Sequence, residues 1–158
     1  MRRLWTLSFV TLALGGLAFH ARSAAPISVQ PLGSDTATSP QETKVMREFR
    51  GVKLGLKTDA VHTALGKAEN TSDNREEYKL SDDDTLTVHY DNDAVKAIQI
   101  RFTSGKNAPS WKDVVGNAEI QQNENGSKFA RVVVTAENFW VSMYQSKDGV
   151  ITSITISR

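Results

Sequence analysis

Apolar residues recur along the chain with two different periods, and short stretches rich in glycine or aspartate separate the runs. Val61, Ala64 and Leu65 have helical spacing, and Gly66 follows them directly. Such spacing is typical of a short amphipathic helix. Glycine favours a helix end because it adopts backbone conformations there that other residues resist. The pattern therefore predicts a helix over Thr58–Leu65 that ends at Gly66.

A second helical pattern begins at Pro109 and ends at Gly116, and alternating apolar runs follow each helix. Alternation with a period of two predicts strands that have one face buried. The six predicted strands are Arg75–Leu80, Thr85–Tyr90, Ala94–Phe102, Ser127–Thr135, Asn138–Gln145 and Val150–Ser157.

The order of one helix, a glycine and three strands thus occurs twice. Setting Gly66 over Gly116 also puts Val61 over Trp111. We predict an α+β fold: a tandem repeat of a helix followed by three antiparallel strands, forming one largely antiparallel sheet with short helices packed on one face. Patterns shared by any two amphipathic α/β stretches are the alternative explanation of this similarity.

The first 23 residues have the features of a secretory signal peptide. A basic start, Met1 to Arg3, precedes a mostly apolar run, and small residues follow it. We predict cleavage after Ser23 and a periplasmic or secreted protein. The alternative, an uncleaved anchor, needs about 20 apolar residues, more than this run supplies. After cleavage we expect no stable membrane insertion.

Residues 24–43 form a predicted flexible linker, because they hold three of the four prolines and no sustained apolar period. The remaining residues, 44–158, are predicted to be a single domain of two repeats, about 44–105 and 106–158.

Composition excludes several classes of function. The chain has no cysteine, which rules out disulfides, thiol catalysis and a lipid-modified cysteine. Cleavage would remove three of the 19 basic residues and none of the 18 acidic ones, which leaves a net charge of −2 with histidine neutral. This charge gives no electrostatic reason to bind nucleic acid.

No catalytic, cofactor or metal site is predicted. His62 and His89 stand outside any recognisable nucleophile or metal-ligand constellation, so each is expected to be an ordinary flank or surface residue. The acidic runs 82–84 and 91–93 lack the glycine and distant glutamate of a calcium loop. We interpret both runs as hairpin turns, with a hard-cation site as the alternative.

The stretch FRGVKLGLKTDAVHTALGKAE, residues 49–69, resembles the signature of the small outer-membrane assembly lipoproteins of the SmpA/OmlA (BamE) type. It is similar also to the fold of the beta-lactamase inhibitor proteins, in which one unit occurs twice. The matching residues are Phe49, Val52, Gly55, Val61, Leu65 and Gly66. Leu56, Lys57 and Ala68 depart from the pattern, as does the missing lipobox cysteine. The resemblance implies an exported α+β domain that acts through protein contact and not through catalysis.

Three hypotheses of function follow. The first is a non-catalytic protein-binding module of the bacterial cell envelope, for example an accessory factor of envelope assembly. The second is a secreted inhibitor of an extracellular hydrolase, which requires exposed aromatic anchors. The third is a small ligand-binding domain or hydrolase, which requires a deep pocket with convergent polar groups. For the first two, the expected partner is another envelope or extracellular protein, and the oligomeric state stays open.

Strand parity predicts where such a partner binds. Leu86, Val88 and Tyr90 form the apolar face of one strand. The repeat places Tyr144 over Tyr90, so Trp140, Ser142 and Tyr144 are expected to face inward. The predicted binding row, exposed on the opposite face, is Phe139, Val141 and Met143. A covering segment or a bulge that shifts the register is the alternative.

Overall fold

The computed structural model describes residues 44–158, so the predicted signal peptide and linker lie outside the described residues. Two α-helices, α1 at Thr58–Leu65 and α2 at Trp111–Val115, agree with the predicted helices. A 3₁₀ turn occupies Thr135–Glu137. The ten strands within residues 44–158 are β1 (Glu48–Phe49), β2 (Val52–Lys53), β3 (Asn70–Ser72), β4 (Arg75–Lys79), β5 (Thr85–Asp91), β6 (Ala94–Phe102), β7 (Gln121–Gln122), β8 (Lys128–Val134), β9 (Phe139–Gln145) and β10 (Thr152–Ser157).

Eight of these strands form one sheet with the order β3-β4-β5-β6-β10-β9-β8-β7, and β1 and β2 pair separately. Every pairing is antiparallel. The strands that follow α1 fill one half of the sheet, and those that follow α2 fill the other. The predicted α+β class with a large antiparallel sheet is therefore confirmed.

Four strands follow each helix, so the predicted unit of one helix and three strands is not observed. The strands that were not predicted after the helices are β3 and β7. All five of their residues are exposed. A strand without a buried apolar residue leaves no alternating signal in the sequence. The two short strands lie at the two edges of the sheet, where only one neighbour fixes them.

The helices cover one face of the sheet, here called the inner face. Val61 of α1 and Val114 and Val115 of α2 are fully buried in the same apolar cluster as the strand residues. The buried apolar residues on the sheet are Tyr78, Leu86, Val88, Val95, Ile98, Ile100, Phe102, Ala130, Phe139, Val141, Met143, Ile154 and Ile156. Among the described residues, no helix has the length and apolar character that a bilayer crossing requires.

The turns follow the local chemistry of the sequence. Asn92 and Asp93, with φ of 50° and 60°, form the two-residue loop between β5 and β6. Asp84, in the connection from β4 to β5, accepts hydrogen bonds from the Thr103 backbone N–H at 3.2 Å and from Asn107 Nδ2 at 3.0 Å. Both acidic runs therefore lie in hairpin turns, as predicted.

Candidate functional site

The predicted binding row is not on the surface. Phe139, Val141 and Met143 are 6%, 0% and 1% exposed and belong to the apolar core under the helices. The prediction of an exposed row at these three residues is therefore wrong.

The cross-strand pairs explain the error. Leu86 of β5 lies opposite Ile100, which pairs with Ile154, and Ile154 pairs with Met143. This ladder places Met143 on the same face as Leu86, whereas the alignment of Tyr144 with Tyr90 placed it on the opposite face. A shift of one residue moves every side chain of a strand to the other side of the sheet.

The opposite face, here called the outer face, is crossed by three rows of cross-strand pairs from β4 to β8. In the middle of these rows lie mostly small polar side chains from β5, β6 and β10. The rows are Glu77-Thr87-Gln99-Thr155-Ser142-Arg131, Lys79-Thr85-Arg101-Ser153-Tyr144-Phe129 and Arg75-His89-Ala97-Ser157-Trp140-Val133.

At the β8 and β9 end of the three rows the outer face changes character. We call this region the aromatic patch: Phe129, Arg131, Val133, Trp140 and Tyr144. Phe129, Val133 and Tyr144 are 40%, 63% and 38% exposed, which is unusual for large apolar side chains on one small area.

Two contacts hold the patch in a defined shape. The Arg131 guanidinium carbon lies 3.9 Å from the centroid of the Trp140 ring, which is a close cation–π contact. The Tyr144 hydroxyl donates to Ser127 Oγ at 3.1 Å. Both aromatic rings are thus held in place before any partner binds, which lowers the entropic cost of association.

Charge on the outer face is unbalanced. The three rows carry four basic side chains, those of Arg75, Lys79, Arg101 and Arg131, and one acidic side chain, that of Glu77. Lys79 also pairs with Asp82 at 2.9 Å in an exposed ion pair. The face therefore presents a positive field beside an apolar patch, a combination that attracts an acidic surface.

A second cluster lies on the inner face, where a carboxylate is buried among three donors. Glu76 is 6% exposed. Its Oε2 accepts from the hydroxyls of Tyr78 and Tyr90, each at 2.6 Å, and its Oε1 lies 2.8 Å from His62 Nε2. Because an ionised carboxylate can only accept, Nε2 carries the proton in this contact. The cluster links α1 to β4 and β5.

Burial alone would raise the pKa of Glu76, but the hydrogen bonds from Tyr78, Tyr90 and His62 outweigh it and lower the pKa below the usual range. Burial and the nearby Glu76 carboxylate raise the pKa of Tyr78 to about 12. The same two causes raise the pKa of Tyr90. At neutral pH both tyrosines are therefore protonated donors and Glu76 is an ionised acceptor.

A surface groove of about 470 Å³ lies beside this cluster. His62, Gly66, Lys67, Ala68, Thr71 and Glu76 line it. The Glu76 oxygens already accept three hydrogen bonds, so the carboxylate is committed to holding the cluster together. The hydrogen bonds orient the imidazole of His62. The role of the cluster is to fix α1 on the sheet.

The replacement Glu76→Gln tests this role. The native pKa of Glu76 lies below its unfolded value of about 4.3, so ionisation stabilises the fold above that pH and the contribution disappears as the pH falls through the native pKa. We expect the variant to be destabilised by about 2 kcal/mol at pH 7. The difference from the unmodified protein should shrink as denaturant titrations are repeated down to about pH 3.

Glu77→Gln is the matched control, because Glu77 is the next residue and points to the outer face. We expect a change within about 0.5 kcal/mol at every pH. A Glu76→Gln variant as stable as this control would show that the cluster does not hold α1 on the sheet.

Neither the aromatic patch nor the cluster at Glu76 has a strong signal in the sequence. The alternation of Glu76 with Tyr78 predicts that the Glu76 carboxylate points inward. Its partners His62 and Tyr90 are each 14 residues away in the sequence, so no local pattern indicates these contacts. In β8 both faces carry apolar residues, since Phe129 and Val133 alternate with Ala130 and Val132. Such a strand does not reveal which set is exposed.

No family model matches this chain, and the searches of curated proteins and of solved structures also gave no match.

Proposed function

We propose that this protein is an exported, non-catalytic protein-binding module of the bacterial cell envelope, and that it binds its partner through the outer face of the sheet. The partner is another envelope or extracellular protein with an acidic surface. The single observation that carries this proposal is the aromatic patch, which lies open at the end of a positively charged sheet face.

The composition of the patch supports binding more than any other role. Tyrosine, tryptophan and arginine dominate the residues that contribute most energy to protein interfaces. Here Trp140 and Arg131 contact each other, and Tyr144 and Phe129 form a cross-strand pair. A sheet face that only contacts water is expected to carry polar side chains at these positions.

A tandem repeat is part of the proposal. The sheet order supports it, since the strands after α1 and those after α2 meet at β6 and β10 with their short strands at opposite edges. Gly66 and Gly116 also end their helices with φ of 81° and 64°. These features fit the resemblance to the SmpA/OmlA-type and beta-lactamase inhibitor-type proteins, with four strands in each unit.

Secreted inhibition of an extracellular hydrolase is the second candidate. The same patch favours it, because an inhibitor also needs exposed aromatic anchors on a preorganised surface. A panel of extracellular hydrolases, assayed with and without the protein, distinguishes the two candidates. Inhibition of one of them at stoichiometric protein would favour the inhibitor.

Crosslinking in native envelopes followed by affinity capture tests the first candidate. We expect one acidic envelope protein to be captured, and Phe129→Ala with Tyr144→Ala to weaken its binding at least about tenfold, since the two rings are central anchors. Raising the salt concentration from about 0.15 to 0.5 M should weaken binding further by screening the basic rows.

Thr87→Ala with Gln99→Ala is the matched control. Both residues lie on the outer face, in one of the three rows, but outside the aromatic patch. This variant should bind the captured protein within about threefold of the unmodified chain. Equal binding by the aromatic double variant and the control would contradict the patch as the interface.

A further inference from the structure

The edge of the sheet at β8 is longer than the strand that covers it. β7 pairs only with Lys128 and Phe129, so Ala130–Val134 extend beyond their neighbour. The Asn123 N–H donates to the Ser127 carbonyl at 3.0 Å, which directs the backbone groups of Ser127 toward β7. Backbone direction alternates along an antiparallel strand.

It follows that the N–H and C=O groups of Arg131 and Val133 point outward, away from β9. Among residues 44–158, no backbone hydrogen bond outside the sheet pairs reaches either residue. Their side chains are also exposed, and both belong to the aromatic patch. The open edge and the patch are therefore one continuous surface.

The opposite edge of the sheet is protected in a different way. β3 covers Arg75 to Glu77, and the Leu80 N–H donates to the Asp84 carbonyl at 2.9 Å, so that Lys79 directs its backbone outward. This edge leaves one residue open, and that residue is a lysine. Edge lysines discourage strand pairing, whereas the sequence Arg131-Val132-Val133-Val134 favours it.

We propose that the open edge of β8 binds an extended, acidic segment of the partner protein by strand addition. The proposal rests on the protein-binding function above and names how the partner is recognised. Outward backbone groups provide the hydrogen bonds, and alternate side chains of the added strand lie over the patch. Arg131 is the charged residue of the open edge, and the adjoining rows are basic, so an acidic residue opposite Arg131 and an apolar one opposite Val133 fit best.

An acetylated and amidated peptide, Thr-Val-Thr-Glu-Thr, is the probe. In an antiparallel pairing its valine lies opposite Val133 and its glutamate opposite Arg131. We expect hydrogen exchange at the amides of Arg131 and Val133 to slow at least about tenfold with saturating peptide, because new hydrogen bonds form there, while the Lys79 amide is unaffected. The same peptide with lysine in place of glutamate should bind at least about tenfold more weakly.

Val133→Pro removes one outward N–H from the open edge and should abolish peptide binding. If Val133→Pro does not fold, hydrogen exchange at Arg131 and Val133 in the unmodified protein with saturating peptide tests strand addition instead. A Val133→Pro variant that still captures the envelope partner, while the Phe129 and Tyr144 double variant loses it, would overturn strand addition and leave the proposed function standing.

Two other occupants of the edge give distinct results. Slow exchange at Arg131 and Val133 in the free protein at every concentration would show that a segment of the same chain, for example residues 24–43, covers the edge. Slow exchange that appears only as the concentration rises, together with a dimer in sedimentation, would show pairing with a second copy. Either result overturns binding of a partner segment, as does unchanged exchange with saturating peptide.

Discussion

The double replacement Val141→Asp with Met143→Asp is expected to abolish folding. Both side chains are buried, at 0% and 1% exposure, beneath the helices. Two carboxylates in this core would have no partner, and burying an unpaired charge or forcing it to be protonated destabilises a domain by on the order of 5 kcal/mol or more. That loss equals the whole stability of many small domains. Circular dichroism and thermal melting should show no cooperative transition.

Ser142→Asp is the matched control, since Ser142 lies between the two core residues on the same strand. Its side chain is on the outer face and opposite Arg131. We expect this variant to melt cooperatively within about 0.5 kcal/mol of the unmodified protein. A folded double variant would contradict the observed register of β9, and an unfolded control would show that the strand tolerates no new charge on either face.

Replacement of the two helix-ending glycines by valine is expected to give unequal losses. Both glycines have positive φ, which a β-branched residue adopts at a cost of about 1 to 3 kcal/mol. A Cβ at Gly66 would meet no heavy atom within 4 Å, whereas a Cβ at Gly116 would lie 2.7 Å from the Lys44 carbonyl oxygen. We therefore expect about 2 kcal/mol for Gly66→Val and at least about 4 kcal/mol for Gly116→Val.

Chemical denaturation of both variants measures this difference directly. Gly66→Val serves as the control for Gly116→Val, because it imposes backbone strain without the close contact. The Met46 N–H donates to the Val114 carbonyl at 3.0 Å, so displacing Lys44 should also loosen this neighbouring contact. Equal losses for the two variants would show that the chain near Lys44 moves aside at no cost.

Local features of the fold were predictable from the sequence. The helix ends at Gly66 and Gly116 and the six longer strands were identified to within a few residues. In each case the signal is short-range: a period of 3.6 or 2, a glycine that relieves strain, or a turn residue such as Asn92. Neighbouring residues suffice to determine such features.

The candidate sites were not predictable in this way. The cluster at Glu76 needs a helix residue, His62, and a second strand residue, Tyr90, to meet one carboxylate. The open edge of β8 exists because β7 covers only two of its residues. Both features depend on which elements become neighbours in space, and no local pattern encodes the length of a partner strand.

The choice of which face of β9 is buried shows most clearly what the sequence alone could not determine. By itself the sequence determined that a strand lies within Asn138–Gln145, because valine and aromatic residues favour an extended, half-buried backbone. Both of its faces are apolar enough to be buried, so alternation could not choose between Val141 with Met143 and Trp140 with Tyr144. Pairing with Ile154 and Ile156 of β10 made that choice. Only the tertiary structure decided it, because the face that a strand buries depends on its register with distant partners, and a shift of one residue reverses the result.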